Sequence, residues 1–95
     1  MTKTTVVNRR ARLPYDVYIG RPGPWGNPFA IGKDGTRAEV IAKYRVWITS
    51  DRRVPVVLRK NLYRLKGKRL GCWCAPAPCH GDVLAELADR KERLG

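Results

Sequence analysis

The stretch Gly71-Cys72-Trp73-Cys74-Ala75-Pro76-Ala77-Pro78-Cys79-His80-Gly81-Asp82 holds every cysteine of the chain and its one histidine. Four soft or borderline metal donors, Cys72, Cys74, Cys79 and His80, fall within nine residues. Zinc takes four such donors in a tetrahedron, and thiolate with imidazole is its usual structural set. In an extended segment Cys72 and Cys74 point to the same side and can converge on one ion. Ala75-Pro76-Ala77-Pro78 is a stiff return loop. Cys79 and His80 are neighbours that an extended backbone points apart, so both ligate only if the chain turns there. The start of a helix supplies that turn, and its free amides would favour a thiolate at Cys79 and lower its pKa. The expectation is a structural zinc site with these four ligands. Two alternatives stay open: three cysteines on zinc with His80 outside the coordination sphere, or no metal, with cysteines that are packed or redox-active.

The same residues argue against two kinds of catalysis. Cys79 as nucleophile with His80 as base would need sequence neighbours to face one another, and the chain offers no second histidine. A zinc deaminase carries its His-x-Glu upstream of the paired cysteines. Here His80 lies downstream of Cys72 and Cys74 and is followed by Gly81-Asp82.

At 95 residues the chain reads as one domain, 1–95. A chain of that length buries a modest fraction of its surface, which gives a metal staple a physical use. Its 20 Lys and Arg against 8 Asp and Glu leave a net charge of +12. Such a field favours polyanionic partners: nucleic acid first, nucleotides second, acidic proteins or anionic lipids third. No apolar run approaches a membrane span and no export signal is visible, so a reducing cytoplasm is expected. Three cysteines cannot all pair within one chain, which disfavours a disulfide framework there.

Along the chain, Thr4-Thr5-Val6-Val7-Asn8 reads as a first strand, followed by a basic loop with Arg9, Arg10 and Arg12. These arginines either end the strand at a ligand edge or form a frayed arm. Tyr15 to Ile19 reads as a second strand, with Asp16 and Tyr18 on one face. Gly20-Arg21-Pro22-Gly23-Pro24-Trp25-Gly26-Asn27-Pro28-Phe29 then carries three glycines and three prolines, which can continue neither strand nor helix. Such a loop could hold Arg21 for a phosphate or carboxylate, Trp25 for stacking and Asn27 for a polar edge. Alternatively, Trp25 and Phe29 pack as lids over the core and Arg21 pairs with Asp16. Its glycine spacing matches neither a dinucleotide fingerprint nor a Walker loop.

Thr36 caps a first helix, with Glu39 completing a capping box, and Val40, Ile41, Tyr44, Trp47 and Ile48 form its apolar face. A second helix is expected over Val54 to Lys66, with Gly67 beyond its end. Arg52, Arg53, Arg59, Lys60, Arg64, Lys66, Lys68 and Arg69 make a block of eight basic residues with no acid, either a polyanion-facing surface or a solvated helix face. Arg69 to Trp73 reads as a third strand and Val83 to Leu94 as a last helix. The predicted fold is α/β: a small three-stranded sheet with three helices, β-β-α-α-β-α, stabilised by zinc.

Tyr18-Ile19-Gly20-Arg21 with Trp25-Gly26-Asn27-Pro28-Phe29, and Gly71-Cys72-Trp73-Cys74, Pro76 and Cys79-His80-Gly81-Asp82-Val83-Leu84, resemble the two signature blocks of domain-of-unknown-function family 4326. That family occurs in bacteriophage and bacterial proteins. The resemblance implies a small stand-alone domain, set in the host cytoplasm if phage-encoded, with the two blocks as its centres. It implies no activity. From the residues, the expected function is a basic zinc-binding domain for nucleic acid or a nucleotide-like phosphate ligand. Arg9, Arg10, Arg21, Trp25 and Asn27 would lie at the ligand. One rival is a small nucleotide- or nucleic-acid-processing enzyme with Asp16, Arg21, Asn27 and Asp82 around a pocket between the blocks. The other is a protein that docks on a host protein through its basic helix face, beside an exposed apolar patch.

Overall fold

A computed structural model describes residues 3–11, 14–75 and 77–94, with side chains through Arg90. Arg12 of the basic loop and Pro76 of the return loop lie outside the described residues. The elements are β1 (Thr5–Asn8), a 3-10 turn (Arg9–Ala11), β2 (Val17–Tyr18), α1 (Arg37–Ile48), α2 (Arg53–Lys60), a second 3-10 turn (Leu62–Arg64), β3 (Arg69–Cys72) and α3 (His80–Leu94). A three-stranded sheet with three helices is therefore the architecture expected from the sequence.

The sheet order is β1-β3-β2, and both pairings are parallel. Parallel strands need a crossover, and the α1–α2 pair supplies it between β2 and β3. Val6 pairs with Leu70 on one side of the central strand, and Val17 pairs with the same Leu70 on the other. The second strand is shorter than the Tyr15–Ile19 run. Even so, the amides of Asp16 and Ile19 donate to Arg69 O and Gly71 O and extend its ladder by a bond at each end.

The apolar face of α1 follows the helical period. Val40, Tyr44 and Ile48 are buried, and the capping box is complete: Glu39 N donates to Thr36 Oγ1 at 3.2 Å and Thr36 N to Glu39 Oε1 at 2.8 Å. The second helix is shorter than the apolar stripe suggests. It stops at Lys60, and Asn61 closes it by donating its side-chain amide to Val57 O at 2.9 Å. Leu62 and Leu65 still reach the core from the 3-10 turn, whose tighter winding keeps the stripe inward. Gly67 follows with φ +74°, in the left-handed region that favours glycine.

The core lies between the sheet and the helices, with Ile19, Tyr44, Ile48, Leu65, Leu70 and Leu84 fully buried. Each such side chain contributes about 1.5–3 kcal/mol relative to exposure. Buried Thr4 ties three segments together: its hydroxyl donates to Asp89 Oδ1 at 2.6 Å and accepts from Gly67 N at 2.8 Å. Arg45 and Glu86 join α1 to α3 at 2.8 Å on the surface.

Gly81 sets how closely α3 approaches the sheet. A methyl group there would stand 2.7 Å from Ile19 Cδ1 and 3.1 Å from Val6 Cγ1. Gly81→Ala should therefore destabilise the domain by about 1–3 kcal/mol through overpacking. Thermal unfolding checks this: a midpoint lowered by several degrees is expected, and an unchanged midpoint would mean that α3 has room to move outward.

Candidate functional site

All three strands are parallel, so their carboxyl ends share one edge, where open α/β sheets place ligands. Past this edge β2 runs into the Gly/Pro loop, β3 bends at Trp73, and α3 begins at His80. Between them lies a cavity of about 230 Å³. Gly20, Arg21, Asn27 and Phe29 line it from the Gly/Pro loop, Arg37, Val40 and Ile41 from α1, and Cys72, Trp73, Cys74, Cys79 and His80 from the cysteine-rich segment. The two blocks of the sequence thus meet in one concave site.

His80 joins them. Its Nε2–H donates to Ile19 O at 2.7 Å, from the first turn of α3 to the end of β2. The ring meets Tyr44 edge-on at 5.0 Å between centroids, and the buried Tyr44 hydroxyl donates to Trp25 O at 3.0 Å. The loop is therefore held at both ends of Gly20–Trp25. Burial pushes the His80 pKa below its ordinary value, against the Ile19 carbonyl, which favours the charged ring, so the imidazole is neutral at neutral pH. Burial also pushes the Tyr44 hydroxyl up, which leaves it a donor.

The expected zinc site is not formed. Among the described residues no group of three or more His, Cys, Asp and Glu side chains could hold a metal ion. β3 ends at Cys72, so strand alternation does not carry Cys74 to the face of Cys72. His80 is spent on Ile19 O. Cys72 and Cys79 do meet, at 3.7 Å between sulfurs, but their other partners are backbone amides: Ala75 N on Cys72 Sγ at 3.4 Å and Gly81 N on Cys79 Sγ at 3.3 Å. Zinc as cofactor, zinc stabilisation of the fold and a zinc-binding function are accordingly corrected. The expectation of a depressed Cys79 pKa fails as well. Burial, and then the neighbouring Cys72, push that thiol up to about 12 although the Gly81 amide pulls the other way.

The other expected site residues are dispersed. Arg21 is exposed at the cavity. Asn27 also lines it, with its polar atoms engaged: Nδ2 donates to Val40 O at 3.2 Å and Oδ1 accepts from Phe29 N at 2.9 Å. Trp25 is buried in the core rather than open for stacking, the lid alternative for this residue. Asp16 pairs with Arg69 at 3.1 Å, not with Arg21, and this guanidinium holds its carboxyl at about 2. Asp82 accepts from Cys79 N at 3.1 Å and caps α3. Arg9 lies among three rings, 5.0 Å from Tyr15 and 4.8 Å from both Tyr18 and Trp73, with Arg10 at 5.7 Å from Trp73.

The basic block Arg52, Arg53, Arg59, Lys60, Arg64, Lys66, Lys68 and Arg69 does not gather into a cleft among the described residues. Arg59 donates to Ile48 O and Ser50 O at the α1–α2 junction, Arg64 lies against Tyr63, and Arg69 is on Asp16. None of the eight lines the cavity. Arg37, which does line it and donates to Pro78 O at 3.1 Å, was missed. A signal was available: a cation in the first turn opposes the helix dipole and needs another reason to be there.

Residues 4–90 match the family described as domain of unknown function DUF4326. The chain belongs to the DUF4326 family. Among relatives, a 12.4 kDa protein from the nrdA-td intergenic region of Enterobacteria phage T4 is 35% identical, the match covering 95% of this chain and 88% of that protein. A protein of Acanthamoeba polyphaga mimivirus is 34% identical, covering 76% of this chain and 65% of its own length. No solved structure matches. In this DUF4326 domain no helix among the described residues is long and apolar enough to cross a membrane.

The clasp makes a pH prediction. The unfolded chain binds the His80 proton near the ordinary value of 6.5, the folded chain only at lower pH. In that window the unfolded state holds more protons, so this contribution is complete above 6.5 and is lost as pH falls through the folded value. Denaturant unfolding from neutral pH down to about pH 5, above the carboxylate range, should show stability falling in the parent protein and a flatter profile in His80→Gln. Parallel profiles would refute the lowered His80 pKa.

Proposed function

We propose that this domain binds a small anionic ligand at the carboxyl edge of its sheet, in the cavity that joins the two DUF4326 blocks. The observation that carries the reading is this cavity's combination of apolar walls and two guanidinium groups, Arg21 and Arg37, at the carboxyl ends of parallel strands. Phe29, Val40, Ile41 and Trp73 suit a flat or apolar portion, while the arginines suit a phosphate or carboxylate, which guanidinium recognises in bidentate fashion. The size, about 230 Å³, lies below the usual range of ligand pockets and suits a small anion or one moiety of a larger ligand. The net charge of +12 draws anions towards the site. The free thiols in its wall accord with a reducing, cytoplasmic setting.

NMR titration with inorganic phosphate and then a nucleoside monophosphate tests the reading. Amide shifts at Gly20, Arg21, Cys74 and His80 are expected to move together and saturate. Arg21→Ala and Arg37→Ala should each weaken binding by about tenfold or more, the loss of a charge-assisted hydrogen bond. Shifts confined to α2, or none at millimolar ligand, would overturn it.

A second reading rests on α2, where Val54 and Val57 are exposed beside Arg53 and Lys60. An apolar patch rimmed by cations suits docking on an acidic protein surface. Val57→Asp would impair such docking and leave ligand binding at the cavity intact.

A further inference from the structure

The cysteines are the one chemically reactive group that the proposed ligand site leaves unused. Cys72 and Cys79 come from opposite sides of the cavity floor, the end of β3 and the residue before α3, and their sulfurs are 3.7 Å apart. Both are nearly excluded from solvent, at 2% and 4% exposure, yet both line the cavity, as does the half-buried Cys74. A reagent therefore reaches the buried pair through the cavity. The sulfurs are already in van der Waals contact and must close from 3.7 Å to the length of a disulfide, about 2.05 Å.

We propose that Cys72 and Cys79 form a dithiol–disulfide couple, oxidised by a small hydroperoxide that enters the cavity. The proposal does not depend on the anionic-ligand reading. Hydrogen bonds converge on Cys72 Sγ, from Ala75 N–H and the Cys79 S–H, and stabilise negative charge on it as it attacks. Cys79, which donates its S–H within the pair, acts second. In the first step the Cys72 sulfur attacks the terminal peroxide oxygen. The O–O bond breaks, and the alcohol (water, for hydrogen peroxide) leaves with a proton, giving a sulfenic acid at Cys72. In the second step Cys79 gives its proton to the departing hydroxyl, its sulfur bonds to Cys72, and water leaves. Two thiols and one peroxide yield one disulfide, one alcohol and one water; the sulfurs are oxidised by two electrons and the peroxide reduced by two. The resulting bond staples β3 to α3 across the cavity floor, and Cys74 remains a thiol.

The experiment uses the whole reduced protein and hydrogen peroxide. After exposure, free thiols are blocked with N-ethylmaleimide, disulfides are reduced, and the released thiols are tagged with iodoacetamide. Trypsin leaves all three cysteines on one peptide between Arg69 and Arg90, and its fragmentation locates each tag. The expected result is iodoacetamide on Cys72 and Cys79 with maleimide on Cys74, fully reversed when dithiothreitol precedes blocking. Cys74→Ser should keep the disulfide. Iodoacetamide on Cys74, or oxidation that proceeds to sulfinic acid without a disulfide, would overturn the proposal. The parent protein gives this answer even if Cys72→Ser or Cys79→Ser fails to fold.

Discussion

The hydrogen bond from His80 to Ile19 O is the constraint on which the site depends. It is a single bond at 2.7 Å, but it joins segments 61 residues apart and fixes where β2 hands over to the Gly/Pro loop. Gly81 lets α3 come close enough for the imidazole to reach, and Tyr44 packs against the ring and holds Trp25 O. Without this clasp the loop would lose its tie to α3 and keep those to α1, through Trp25 O and Asn27.

The cysteine-rich segment gains its order from backbone amides and sulfur contact. Cys79 sits at the start of α3, where its sulfur accepts from Gly81 N and Asp82 accepts from its amide. An unpaired helix end is thus satisfied locally. The high positive charge is handled in a similarly distributed way. Arg59, Arg69 and Arg9 each act in the fold, through carbonyls, a carboxylate and aromatic rings respectively. A basic composition is therefore a poor guide to which cations meet a ligand.

Element order, the capping box at Thr36 and the apolar face of α1 were legible in the sequence because they rest on local periodicity and local hydrogen bonds. The end of α2 was less so, since a 3-10 turn carries Leu62 and Leu65 inward along the same stripe. The parallel sheet was legible only as a compatible crossover, and the β1-β3-β2 order requires long-range pairing. For the candidate site, residues of the two blocks line one cavity, with Arg21 exposed beside it. The zinc expectation failed because spacing fixes which donors can come near, not what else competes for them. Here a carbonyl 61 residues away took the imidazole. Arg37 and the aromatic surround of Arg9 depend on tertiary contacts, and the second had no signature in spacing at all.

The most direct test of the clasp is the tautomer and exchange behaviour of the His80 ring by nitrogen-15 NMR at neutral pH. The structure predicts a neutral imidazole carrying its proton on Nε2, slow to exchange with water, with nuclear Overhauser contacts to Ile19 and Tyr44. A ring protonated on Nδ1, or one whose proton exchanges freely with solvent, would contradict it.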